Sequence, residues 1–282
     1  MKYTYRPTHI DEWLPMVSLL SEHDFTDKDE VYFDFSEIPL SDITPVHIVT
    51  FACLIEHIKS YGTNVLALQT EVSRYFWNDL NFRDYWTGGL NFVRTSKDNV
   101  LNLWRIVDAE KETHSINVRD YLKQHFFKHK DLSAVKNSLD EAYYNIFDHA
   151  IADGNAFSFI RFDENTEKLF VAVCDFGVGI ATLVKPFMPK GIDDSAAIIK
   201  AMERAFTTKS QAHNRGYGLD NIISTCTEND EFCIIANRGQ VIVKNNNINS
   251  SELDYYFPGT VIYYELSLSH FPDEEDMAEF TL

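Results

Sequence analysis

Cysteine is scarce in this 282-residue chain. Its four cysteines stand at positions 53, 174, 226 and 233, with no Cys-x-x-Cys among them. That excludes a disulfide framework and a zinc ribbon, and leaves buried thiols of a reducing cytosol as the expectation. Basic residues are also few, 25 against 43 acidic, for a net charge of -18. Nucleic acid is therefore not an expected main ligand, because neutralising phosphates needs a basic surface. No stretch approaches the roughly 20 apolar residues of a membrane helix, and the opening Met1 to His9 holds no apolar signal core. A soluble, cytoplasmic protein with no membrane association is expected. No Gly-x-x-x-x-Gly-Lys-[Ser/Thr] occurs, so the P-loop enzymes are excluded as well. Internal repeats and low-complexity linkers are absent too.

What the chain does hold is 45% hydrophobic and 14% aromatic residues, ample for folded cores, over a length that admits two domains. Within Ser138 to Gly154, S-L-D-E-A-Y-Y-N-I-F-D-H-A-I-A-D-G, the residues Glu141, Asn145 and His149 recur every fourth position. At that spacing they share one broad face of a helix. Val135, Leu139, Ala142, Tyr143, Ile146, Phe147 and Ala150 form the apolar stripe that would meet a core. A carboxylate and an amide oxygen one turn apart are hard ligands suited to Mg2+ and water. Polar residues at this spacing also describe a plain solvated face.

Two glycine motifs follow. Leu169 to Ile180, L-F-V-A-V-C-D-F-G-V-G-I, predicts a strand running into Asp175 and then Gly177 and Gly179. The glycines permit positive φ and let a ligand approach the main chain, and Asp175 could accept a hydrogen bond from an exocyclic amine such as adenine's. Asn214 to Asn221, N-R-G-Y-G-L-D-N, sets Gly216 and Gly218 before a helix expected over Leu219 to Thr227, where backbone N–H groups attract anions. Pro258-Gly259-Thr260 then leads into a strand from Val261 to Leu266 and supplies a hydroxyl beside it.

In this order and spacing the set resembles the GHKL ATPase superfamily of gyrase, heat-shock chaperones, histidine kinases and mismatch-repair ATPases. Glu141 and Asn145 match its N box. Asp175 to Gly179 and Gly216 to Leu219 match its two glycine boxes, and Gly259-Thr260 its terminal Gly-Thr. Glu-x-x-x-Asn followed by His-Ala looks most like the anti-sigma-factor serine kinases. The resemblance covers Asp131 to about Ser267. It implies a Bergerat-type α/β sandwich in which Asn145 holds Mg2+, Asp175 binds adenine, and Glu141 polarises the attacking water or acceptor hydroxyl. Asp148 and His149 match positions that touch the ribose or a phosphate. Ala181 to Arg215 would be a lid over the nucleotide, in which Lys185, Lys190, Lys200, Arg204, Lys209 and Arg215 outnumber the acids Asp193, Asp194 and Glu203. A local basic excess in an acidic chain is where a triphosphate is expected. Lys209 and Arg215, flanking the second glycine box, are the preferred phosphate contacts; Lys185, Lys190 and Lys200 also fit a solvated face.

Upstream, V-Y-F-D-F at 31–35, a helix from Thr44-Pro45 to about Ser60, and Val65 to Leu68 predict a strand–helix–strand unit with parallel pairing. Thr44 as N-cap with Pro45 at the first helical position is a sound start. This unit resembles STAS-type domains, which anti-sigma kinases phosphorylate, although Asp42-Ile43-Thr44-Pro45 replaces the usual Asp-Ser acceptor and Thr44 is more simply a cap. The aromatic-rich Thr70 to His129 would pack between the two domains. The boundary is placed near Lys128 to Lys130, giving a STAS-like α/β domain over 1–129 and an ATP-binding domain over 130–282. The acidic tail, Pro272 to Glu279, is expected frayed or lying on the surface.

Other readings of these motifs fall away. Asp175-Phe176-Gly177 spells a protein-kinase motif, but no His-Arg-Asp catalytic loop accompanies it. A Rossmann fingerprint would need glycine where Thr182 stands. His23-Asp24 lies in an acidic, turn-like stretch without the downstream proline of a phosphoacceptor helix, so an autokinase is not expected. The sequence thus leads to a regulatory protein that takes ATP or ADP with Mg2+ and acts on a protein partner, STAS-like or other. It would work by slow hydrolysis or by phosphoryl transfer to a Ser/Thr, with a homodimer left open. The alternative is a binding module in which nucleotide occupancy switches partner binding without turnover.

Overall fold

Short β-branched and aromatic runs alternate with helical stretches over the first seventy residues, and the chain folds them into a parallel βαβαβ unit. Strands β1 (Lys2–Tyr5), β2 (Glu30–Phe33) and β3 (Asn64–Ala67) pair in that order, all parallel. Helices α1 (Trp13–Ser21) and α2 (Pro45–Ser60) make the crossovers. The structure, a computed structural model, describes residues 1–88, 100–149, 155–203 and 218–274. Helix α2 starts where Thr44 and Pro45 predict, and His47 completes the cap by accepting the Thr44 N–H at Nδ1, 2.9 Å away. It stops at Tyr61-Gly62, with Gly62 at φ 78°.

After β3 come α3 (Glu71–Arg74), a wide helical turn Tyr75–Asp79, and α4 (Phe82–Gly88). A second sheet then forms, antiparallel throughout. Its strands are β4 (Val100–Arg105), β5 (Ala156–Asp163), β6 (Lys168–Asp175), β7 (Glu231–Lys244) and β8 (Asn247–Ser267), in spatial order β4-β5-β6-β8-β7. Helices α5 (Lys111–His125) and α6 (Ser133–His149) precede β5. Helices α7 (Ile180–Val184), α8 (Asp194–Met202) and α9 (Gly218–Thr225) lie between β6 and β7. The protein is therefore mixed α/β, with one parallel and one antiparallel sheet.

Both faces of the antiparallel sheet are apolar, and each has its own core. On one face Val171, Val173, Ile262, Tyr264 and Ile234 meet Val135, Leu139, Ala142, Tyr143 and Ile146 of α6, the stripe that the helical spacing predicts. Phe147 and Ala150 lie outside the described side chains. On the other face Phe157, Phe159, Ala172, Cys174 and Val261 join Trp13, Phe33, Phe51 and Phe76 in a second core. Full burial of such aromatic side chains contributes roughly 1.5–3 kcal/mol each. Helix α2 is apolar around most of its circumference because it lies between two sheets, with buried residues from Pro45 to Ile58 and an unbroken buried run over Ile48 to Ile55. The hydroxyl of Ser18 on α1 also donates to the Tyr256 carbonyl of β8 at 2.6 Å.

The boundary expected near residue 129 falls between α5 and α6. Strand β4 and helix α5 precede it yet sit with the antiparallel sheet, and the second core draws on both sides of it. Tyr75, Phe76, Trp77, Phe82, Tyr85 and Trp86 fill that second core, as packing aromatics should, and Trp104 joins the first. The start of the acidic tail is tied down. Asp273 bridges to Lys130, and the Asp131 N–H donates to the Pro272 carbonyl at 2.9 Å. Residues 275–282 lie outside the described residues.

Candidate functional site

Strand β6 alternates between the two cores until Asp175, the last residue of the strand, which continues the face that carries Leu169, Val171 and Val173 toward α6. In register across the sheet it stands beside Thr260 of β8, and Thr260 in turn beside Ala236 of β7. Asp175 is 1% exposed. Its Oδ1 accepts the Gly177 N–H at 2.8 Å, while its Oδ2 is buried without a partner. Burial pushes the carboxyl up to about 7, against the smaller downward pull of the bonded Gly177 N–H and of the Thr260 N–H, which lies near it outside hydrogen-bond geometry.

The orphan oxygen belongs to a small pocket lined by Asn145, Ile146, Val173, Asp175, Ile180, Thr260 and Ile262. Its volume of about 10 Å3 holds roughly one water. Its lining combines four aliphatic walls with one carboxylate, one amide and one hydroxyl, room and partners for one hydrogen-bonding group. Thr260 Oγ1 accepts the Ile180 N–H at 3.0 Å, which leaves its own proton free to donate.

Helix α6 supplies the opposite wall. Asn145 Nδ2 donates to the Glu141 carbonyl at 2.7 Å, a bond that does not use Oδ1. Glu141 Oε1 accepts from Asn221 Nδ2 of α9 at 3.4 Å, so the two helices that bear the expected nucleotide motifs touch through the predicted catalytic carboxylate. Asp148 and His149 end α6, and their side chains lie outside the described residues. The same holds for Lys209, Arg215 and Gly216, while Gly218 opens α9 one residue earlier than the pattern predicts.

Gly179 has the positive φ that the sequence allows, and two glycines of the site stand where the chain meets itself closely. Gly179, at φ 79°, has the Asn237 amide where a Cβ would stand, 2.7 Å away. A Cβ on Gly259, at φ 94°, would lie 2.1 Å from the Asp175 carbonyl oxygen and 2.7 Å from the Gly177 nitrogen. Both glycines therefore admit the protein's own chain, and the resulting close approach packs β8 against the Asp175 loop.

Of the expected lid, α7 and α8 are described and α8 lies on the sheet. The Ser195 N–H donates to Glu252 at 2.7 Å, and the Arg238 N–H donates to Asp194 at 3.1 Å. Lys185 pairs with Asp194 at 2.6 Å and Lys200 with Glu203 at 2.5 Å, so part of the basic excess is matched internally. The aromatic ring of Phe176 points the other way, into the second core, with His57 and Phe257 rings about 6 Å off, at 6.1 and 5.9 Å. The four cysteines are free thiols, Cys53 and Cys174 buried and the other two partly so.

No family model matches the chain, and no curated protein matches it. Among the described residues no helix is long and apolar enough to cross a membrane.

Proposed function

We propose that the chain binds an adenine nucleotide with Mg2+ at the Asp175 pocket and uses its occupancy to control a protein partner. The observation that carries this reading is the buried, unpartnered Asp175 Oδ2 in an aliphatic pocket. A buried carboxylate oxygen without a donor is costly, and an exocyclic amine would relieve it. The GHKL likeness adds support, because its motif residues Asn145, Asp175 and Thr260 line this one pocket. On this reading the antiparallel sheet with its α5, α6 and α9 layer is the Bergerat-type unit, and the parallel β1–β3 unit is the STAS-like one.

Among the described residues no group of three or more His, Cys, Asp and Glu side chains gathers to hold a metal. Mg2+ would therefore be held by Asn145 Oδ1 with phosphate oxygens and water, in keeping with its preference for substrate phosphates over protein cages. Glu141 would polarise water or a partner hydroxyl, and Lys209 and Arg215 would meet the phosphates. A purine is larger than the single-water pocket, so binding would open it between Ile146 and Ile180.

Calorimetric titration with ATP and ADP, with and without Mg2+, tests the site; the expected outcome is saturable, magnesium-dependent binding. Phosphate release measured on the same sample addresses turnover. Glu141→Gln should keep nucleotide affinity and abolish release. A variant that still releases phosphate at the wild-type rate removes Glu141 from the chemistry.

A further inference from the structure

We infer that Asn237 is a positioning residue for the loop that carries the nucleotide pocket, Asp175 to Thr182. The inference rests on the nucleotide reading above and assigns a residue that no part of the motif pattern contains. Asn237 lies on β7, where the register with β8 slips on both sides of it, and it adopts φ 55°. A non-glycine residue in the left-handed region at a bulge is held there by something.

What holds it is its own amide, which is 1% exposed and fully engaged. Oδ1 accepts both the Thr182 N–H at 3.1 Å and the Thr182 hydroxyl at 3.0 Å. Nδ2 donates to the Val178 carbonyl at 3.2 Å and to Tyr256 Oη at 2.8 Å. Two lone pairs and two protons are thus all used. The partners bracket Gly179 and Ile180, so one side chain fixes both the entry to α7 and the turn behind Gly177, whose N–H orients Asp175. Gly179 is glycine because this amide occupies the space of its Cβ. Asn237 is not among the residues that line the pocket. It acts through Ile180, a pocket wall that Thr260 holds from the other side.

The test uses the full chain with two variants, Asn237→Asp and Tyr256→Phe. Three readouts are taken: thermal unfolding, amide hydrogen exchange at Gly177 to Thr182, and calorimetric titration with ATP and Mg2+. Asn237→Asp keeps the acceptor for Thr182 and loses both donations, turning an attraction to the Val178 carbonyl into repulsion. It should leave Thr182 protected, speed exchange at Gly177 to Gly179, and weaken ATP binding about tenfold. Tyr256→Phe removes one partner of the amide on the half-exposed side of the clamp. It should weaken binding about threefold and speed exchange at Gly177 to Gly179, with a smaller drop in the unfolding midpoint than Asn237→Asp gives.

A merely structural Asn237 would also lower the unfolding midpoint, but the folded variants would bind ATP as the wild type does. Affinities within about twofold of wild type in both variants would overturn the inference. If Asn237→Asp does not fold, Tyr256→Phe alone decides by the same criterion. Should the wild type bind no ATP, the nucleotide reading fails by itself. The positioning role then stands or falls on exchange, with unchanged rates at Gly177 to Gly179 in Tyr256→Phe overturning it.

Discussion

Two buried aspartates mark the two ends of the β6–β8 ladder, and they are opposites. Asp230 lies at the end where Lys168 pairs with Ser267, and Asp175 at the end where it pairs with Thr260. Asp230 accepts the N–H and hydroxyl of Thr227 at 2.8 and 2.9 Å and those of Ser267 at 3.2 and 2.6 Å, with Lys168 at 3.3 Å. Burial raises its pKa, but these bonds outweigh it and hold the carboxyl below the usual range. Asp175 receives one such side-chain bond in its loop, keeps one oxygen orphaned, and is pushed up to about 7 by burial. A satisfied buried carboxylate is a staple, whereas an unsatisfied one marks a candidate site.

The largest effect expected at either end comes from Gly259→Ala. Its Cβ would lie 2.1 Å from the Asp175 carbonyl oxygen, at a φ of 94° that alanine tolerates poorly. A loss of about 4 kcal/mol or more in chemical unfolding is expected, and a near-neutral result would show that the close approach between β8 and the Asp175 loop is not required. Asp230→Ala should cost roughly 3–5 kcal/mol, because it strands the bonded partners of a buried charge. Nucleotide affinity of the folded variant should be untouched, and a joint loss of stability and affinity would erase the contrast between the two ends.

Asp175→Asn should do the reverse. Stability holds or rises, while ATP affinity falls by about 1.5–3 kcal/mol for one charged hydrogen bond. Unchanged affinity would refute the adenine role. The pH dependences also oppose each other. The Asp175 pKa is raised from 3.8 to about 7, so the folded state holds a proton there that the unfolded state has lost, and this contribution to stability declines as pH rises between those values. The Asp230 pKa is lowered, so its contribution is present above the unfolded carboxylate value and is lost as pH falls through the folded one. Unfolding measured from pH 2 to 8 should lose the decline between pH 4 and 7 in Asp175→Asn and keep the acid loss below pH 4. ATP affinity should climb toward pH 7 and level off above it. The smallest effect is that of Asn145→Ala, which should leave the fold intact and remove the magnesium dependence of ATP binding. A variant that still needs Mg2+ as before would break the ligand assignment.

The site was legible where periodicity met special residues. The four-residue spacing of Glu141 and Asn145 and the apolar stripe behind them predict α6 and its core face, and β-formers ending at Asp175 predict the strand end. Thr44-Pro45 marks the start of α2 because cap chemistry is local. What local pattern does not carry is which surfaces meet. The packing of α1 and α2 behind the antiparallel sheet depends on contacts between distant segments. Its one trace is that A-F-S-F-I-R-F and L-F-V-A-V-C are apolar on both alternating faces, as strands covered on two sides must be. Likewise Asn237, 58 residues beyond Gly179, gives no sign in sequence that its amide fills the space beside that glycine.

The central claim is that Asp175 awaits a donor that an adenine nucleotide supplies. Calorimetric titration of the wild type and of Asp175→Asn with ATP and Mg2+ at pH 8 tests it most directly. The wild type should bind saturably, and the variant should lose roughly ten- to a hundredfold in affinity. Equal affinities, or no binding by the wild type at millimolar ATP, would contradict it.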